Sequence, residues 1–219
     1  MKLPSPYRLA DNAIAQLNKS ALRLADQTKQ RLTVLGFDEL NVLQSVDAMY
    51  ARLDRNNRRK FRELFIARYT EVMAYLLGRE LTADEEDAID DLAEIYLSGL
   101  LDEPNETTKY TYSAEVLRKR DRAKEAILSV PTKTQKQIQL DKHIRYYQQM
   151  TKWYCDDVSD KAAIKALKDA GVKFVVWHTS EDERVCSKCK NKDGKVYPIS
   201  KLPQKPHLNC RCYVTPLDS

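Results

Sequence analysis

Apolar residues recur at three- and four-residue intervals through most of this chain, which is the spacing of one buried face on an α-helix. Ile14, Leu17, Ala21, Leu24 and Ala25 mark a first helix, running from about Asp11 to near Gly36. Pro4 and Pro6 keep Met1 to Arg8 out of it, as an extended arm. From residue 38 to 77, Leu40, Leu43, Val46, Tyr50 and Leu53 and then Phe61, Leu64, Phe65, Tyr69, Val72 and Leu76 carry a second stripe. Its register breaks at Asp54-Arg-Asn-Asn-Arg-Arg-Lys60, read either as exposed helix or as a short loop between two helices.

Gly78 stops that stripe, and Thr82-Ala-Asp-Glu85 is a capping box for a helix reaching about Leu101. Residues 102–108, with Pro104 and an Asn/Thr cluster, form a loop. A helix from about Ser113 to Ser129 ends at Pro131. Thr132 then caps another, through Gln135, Ile138, His143, Tyr147 and Met150 to about Tyr154. Ser159 is expected to cap a separate short helix, Lys161 to Asp169, which Gly171 terminates. The period then changes. Lys173-Phe-Val-Val-Trp177 is β-branched and aromatic and predicts a strand. Asp193-Gly194 is a tight-turn signal beside a second strand, Lys195 to Ile199. Pro203 and Pro206 mark a loop, and Tyr213 to Thr215 is a last short strand.

The fold class is therefore mainly α with a small α+β carboxy-terminal module: an elongated helical region, 1–155, followed by a metal-stapled antiparallel β-hairpin module, 156–219. The 42% apolar content of the 219 residues is enough for a real core, and the 32% charged fraction with only five glycines favours helix over sheet. No run of eighteen apolar residues occurs, so no membrane-spanning helix is predicted. Net charge is +5, distributed as +5 over residues 1–60, −9 over 61–105, +6 over 106–155 and +3 over 156–219. An acidic block between basic ones argues against one continuous nucleic-acid-binding stripe.

Four of the five cysteines lie near the carboxyl end, as Cys186-Ser-Lys-Cys189 and His207-Leu-Asn-Cys210-Arg-Cys212. Two short chelating turns of thiolate and imidazole predict one structural Zn²⁺ per chain, with four of these five residues as ligands. The matched three-residue steps favour Cys186, Cys189, His207 and Cys210, with Cys212 as the substitute. Two disulfides or free thiols are the competing reading. No secretory leader is read at the start, so a reducing compartment and a metal are preferred. A catalytic metal would need an open coordination position, and the spacing shows none. His143 and His178 are the histidines a catalytic reading would use; neither has a second catalytic group at a fixed spacing. No phosphate-cradling glycine loop, His-Glu-x-x-His or serine elbow is present.

The order Trp177, Asp182, Cys186, Cys189, Gly194, His207-x-Asn209-Cys210-Arg211-Cys212 and Pro216 resembles the carboxy-terminal signature of the tailed-phage head morphogenesis family, the Mu F-like minor head proteins. Ala170-Gly171 matches the glycine that commonly precedes that signature, and Leu208 departs from it where the family has proline. The likeness covers only the last part of the chain. It implies a non-enzymatic minor capsid protein that joins the portal vertex during procapsid assembly, in several copies per head. The implied partners are the portal protein, with scaffold or major capsid protein and packaged DNA. The implied location is the capsid interior, after assembly in the host cytoplasm, with possible ejection alongside the genome. Two other functions remain open: a zinc-stabilised nucleic-acid binder, favoured by Arg184, Lys188, Lys190, Lys192 and Lys195 around the knuckle, and a Mu F-like toxin enzyme, a nuclease or ADP-ribosyltransferase.

Overall fold

The computed structural model describes residues 7–104, 109–180, 185–206 and 210–217. The arm expected over Met1 to Arg8 lies mostly outside these residues. Helix α1 spans Arg8–Leu35, α2 Glu39–Leu77, α3 Ala83–Asp102, α4 Tyr112–Leu128 and α5 Lys133–Asp169. Strand β1 (Phe174–His178), the single helical turn α6 (Ser187–Lys190), β2 (Val196–Pro198) and β3 (Tyr213–Pro216) follow. The chain is mainly helical, with one small three-stranded antiparallel sheet beside the cysteines.

Local chemistry sets the helix ends. At α3 the Thr82 backbone N–H donates to Glu85 Oε2 at 2.8 Å and the Glu85 N–H donates to Thr82 Oγ1, as the capping box requires. The Arg79 guanidinium, followed by the Thr82 N–H, holds the Glu85 carboxyl down to about 2. Thr132 and Gln135 form the same reciprocal pair at α5. The other end of α5 is a Schellman motif, in which Val172 N–H donates to Leu167 O and Gly171 N–H to Lys168 O, both at 3.0 Å. Gly171 has φ +76°, a left-handed conformation that strains any residue with a Cβ.

Of the two readings open for residues 54–60 the helix holds, and the break expected before Ser159 is absent. Residues 54–60 are uninterrupted helix within α2, and α5 runs unbroken through 155–160, where a second helix had been expected to start at Ser159. The expected boundary at 155/156 therefore lies inside a helix. Polar residues interrupted both stripes, but Asn57 and Ser159 are each buried, and Cys155, Val158 and Ala162 are fully enclosed. Neither stretch contains glycine or proline, so nothing local stops the backbone hydrogen bonds.

The structure divides into two compact units that share the long helices. One comprises residues 13–61 and 97–152 and is wholly helical. Its core holds Leu32, Tyr50, Leu53, Phe61, Tyr112, Ile127, Leu140, Ile144 and Tyr147. Tyr50 meets Tyr147 edge-on, with centroids 5.5 Å apart, and Phe61 meets Tyr112 in the same way. At the centre, Asn57 Nδ2 donates to Tyr147 Oη at 3.0 Å and to Thr151 Oγ1 at 2.9 Å, and the Tyr112 and Tyr147 hydroxyls lie 3.4 Å apart. Arg58 lies over the Tyr112 ring and binds Asp54 and Ser113. The basic triplet that it opens is thus engaged inside the fold at this member.

The other unit comprises residues 1–12, 62–96 and 153–219. Phe65 stacks on Tyr69, and the Tyr69 hydroxyl donates to Asp169 at 2.5 Å. Arg68, only 4% exposed, pairs with Glu71, which also takes Arg8. The sheet belongs to this unit. Its strand order is β2-β1-β3, with Phe174 opposite Pro198 and Trp177 opposite Val214. Asp193-Gly194 does not join two strands as a two-residue hairpin. It closes the knuckle that follows α6, and β1 pairs with β2 across that longer connection.

Replacing Asn57 by alanine leaves the Tyr147 and Thr151 hydroxyls without this partner and opens a small cavity. The expected cost is about 2 to 4 kcal/mol, read as a lower urea midpoint at unchanged slope.

Candidate metal centre

Alternation along β1 buries Val175 and Trp177 and leaves Phe174 exposed, so Trp177 faces inward. Backbone bonds hold it on both sides: Trp177 N–H donates to Lys195 O at 2.9 Å, and Trp177 O accepts from Gly194 N–H at 2.8 Å. Gly194 sits at φ +69°, where only glycine is unstrained. The Asp193 carboxylate accepts from Thr179 N–H at 2.7 Å and closes the same turn.

Within the knuckle, the N–H groups of Cys189 and Lys190 both donate to Cys186 O at 3.0 Å. This single helical turn brings residues three apart to one side, and the Cys186 and Cys189 sulfurs lie 3.4 Å apart. Cys189 Sγ lies 3.5 Å from Cys210 Sγ, and the sulfurs of Cys189, Cys210 and Cys212 are all within 4.8 Å of one another. These three are buried with Trp177, and Val185, Cys186, Tyr197, Leu202 and Val214 pack around them.

Cys189, Cys210 and Cys212, with Cys186 beside Cys189, form a cluster that could hold a metal ion. Metal–sulfur bonds of about 2.3 Å place ligand sulfurs about 3.8 Å apart, within a few tenths of an ångström of the observed spacings. They are much longer than the roughly 2.05 Å of a disulfide, and all five cysteines are free thiols. Burial, then hydrogen bonds among the thiols, pushes Cys189 well above the usual thiol range. Burial pushes Cys212 up to about 11, partly offset by its contact with Cys189. A divalent cation reverses that balance, because thiolates coordinated to it are no longer unpaired buried charges.

Of the five predicted ligands, Cys186, Cys189, Cys210 and Cys212 come together; His207 lies outside the described residues, as do Asp182, Leu208 and Asn209. Matched spacing ranked Cys212 as a substitute, yet its sulfur is inside the cluster. The legible signal was Cys-x-Cys ahead of a strand: burial alternates across half-buried Arg211, so both cysteines point the same way. Cys155 is buried in α5, away from the knuckle motifs in sequence. His178 stacks on Tyr213 and shares a 2.8 Å hydrogen bond with Thr215, and His143 lies on α5 against Tyr146.

A second group of residues escaped the sequence reading. Lys205 Nζ donates to Cys210 O at 3.0 Å and pairs with Asp160 on α5, while Arg211 pairs with Asp11 on α1 at 2.8 Å. Both cations lie over the Tyr7 ring, Arg211 at 4.5 Å and Lys205 at 5.9 Å. The start of α1, the carboxy-terminal part of α5 and the cysteine loop are thereby joined through the two residues that flank or support Cys210. On the far side, Lys192 covers Trp177 at 4.7 Å and donates to Gln204 O.

No family model matches the chain, and neither a curated protein nor a solved structure matches it.

Titrating the reduced chain with Co²⁺ is expected to give the sulfur-to-cobalt absorption of a thiolate site at one equivalent. Cys189→Ser removes the sulfur that approaches Cys186, Cys210 and Cys212, and should abolish that absorption.

Proposed function

We propose that this chain is a minor head protein of a tailed phage, of the Mu F-like kind, with a structural zinc in its carboxy-terminal module. The observation that carries the reading is the convergence of Trp177, Cys186, Cys189, Cys210 and Cys212 in one buried cluster. These are the residues on which the resemblance rests, and Gly194, another of them, occupies a left-handed turn beside Trp177. Convergence of signature residues supports a family likeness more strongly than their order along the chain does.

Zinc is the ion favoured by a buried, sulfur-rich tetrahedral set. The ligands are Cys189 and Cys210 with two of Cys186, Cys212 and His207. Four protein ligands close the shell, which suits a staple and leaves no position for a substrate; the reading is accordingly non-enzymatic. The metal's contribution is to fix the loops at 186–189 and 210–212 against the sheet. Metal analysis of the full chain is expected to return one zinc. His207→Ala separates the ligand sets: retention of stoichiometric zinc would assign all four positions to cysteine, and its loss would assign one to His207.

The partner in this reading is the portal ring, contacted through the helical region, with several copies per head. The full chain, zinc-loaded, should co-sediment with rings of the portal protein encoded in the same gene cluster. Absence of a portal gene from that neighbourhood, or a full chain that stays in the supernatant with assembled rings present, would overturn it.

A further inference from the structure

We infer that Lys119 and Lys142, gathered with His143 around the Tyr146 ring, form together with Arg122 on α4 a docking surface for the phosphodiester backbone of DNA. The Lys119 and Lys142 ammonium groups lie 5.7 and 6.0 Å from the Tyr146 ring centre. His143 meets the same ring edge-on at 5.6 Å. Arg122 and Lys142 are exposed, Lys119 and His143 are half-buried, and Tyr146 is 39% exposed. Positions 119 and 122 are three apart on α4, and 142, 143 and 146 are three and four apart on α5, so each set shares one helix face.

Several other cations of this unit are paired within the fold. Arg118 occupies both oxygens of the nearby Glu115, at 3.0 and 2.9 Å. Lys124 and Arg120 take Asp47, Arg120 also takes Asp121, and Lys29 takes Asp141. Among the described residues no ion pair joins Lys119, Arg122, Lys142 or His143 to a carboxylate. Burial, then Lys142, Lys119 and Arg122, holds His143 below its ordinary value. Burial likewise lowers Lys119, with Arg118 and Arg122 adding to the effect against Glu115. These like charges therefore lie close together with only Glu115 acting against them at Lys119, and an anion supplied from outside would relieve their repulsion.

The shape of the patch selects the anion. Its cations are spread over two helices, with Arg122, Lys142 and Tyr146 exposed. A linear polyanion can neutralise all of them at once and release its own counter-ions in doing so. Contacts of this kind go to phosphate and carry no sequence preference. The inference does not depend on the portal reading or on the metal; either can fail with the other intact.

The test is fluorescence anisotropy of the full chain with a short labelled DNA duplex at 50 and 200 mM salt. Three phosphate contacts weaken binding about 40-fold over that range. The triple variant Lys119→Ala/Arg122→Ala/Lys142→Ala, with its melting transition preserved, should lose low-salt affinity and most of that salt dependence. Lys142→Glu alone changes an exposed side chain, keeps the test valid if the triple variant misfolds, and should weaken binding at least tenfold. In the wild-type chain, the His143 ring resonances should titrate at higher pH with duplex than without. Wild-type affinity and slope in Lys142→Glu and in a folded triple variant would overturn the inference. Equal or tighter binding to polyglutamate or to anionic vesicles, at matched charge, would also overturn it and assign the surface to an acidic protein or a lipid.

Discussion

Mutual burial of the Cys189, Cys210 and Cys212 sulfurs beneath Trp177 is the constraint on which the carboxy-terminal module depends. The three strands are five, three and four residues long, too short to enclose an apolar core between themselves and anything else. What they enclose instead is one indole and a group of thiols. Thiols bury as small hydrophobes when neutral and as metal ligands when ionised, so the same residues can pack a core or coordinate an ion. Both uses require the α6 turn to present Cys186 and Cys189 together, and the segment after that turn is closed by Gly194 and Asp193 against the carboxyl end of β1, at Trp177 and Thr179.

The cluster is not isolated from the helices of its unit. Lys205 and Arg211 project from the segment that carries Cys210, and each finds a carboxylate on a helix while sharing Tyr7 between them. A cation over an aromatic ring and beside a carboxylate is worth more when shielded from water, because competing hydration is reduced. Loss of the cluster would therefore reach the beginning of α1 and the carboxy-terminal part of α5 as well as the sheet.

The wholly helical unit is organised on different terms. Its centre is a polar contact, Asn57 with Tyr147 and Thr151, inside a shell of aromatic edges. Both Asn57 Nδ2 protons have acceptors, which lowers the cost of burying the amide and fixes the rotation of α2 against α5. On the outside, Asp47, Glu115 and Asp141 are each matched to a cation, whereas among the described residues no ion pair joins the group around Tyr146 to a carboxylate.

Sequence alone determined the features whose causes are local. Helix ends at Thr82, Thr132 and Gly171 follow from hydrogen bonds within a few residues, the β1 segment from its β-branched and aromatic run, and the pairing of Cys186 with Cys189 from one helical turn. Tertiary structure decided the rest. Whether residues 54–60 and 155–160 bend or continue depends on the burial of Asn57 and Ser159, and the partners of Asn57, Tyr147 and Thr151, are remote in sequence. That β1 lies between β2 and β3, that Cys212 joins the sulfurs, and that Tyr7 sits under Lys205 and Arg211 depend on contacts spanning much of the chain. Periodicity records which face of a segment is buried, and carries no information about which distant residue covers it.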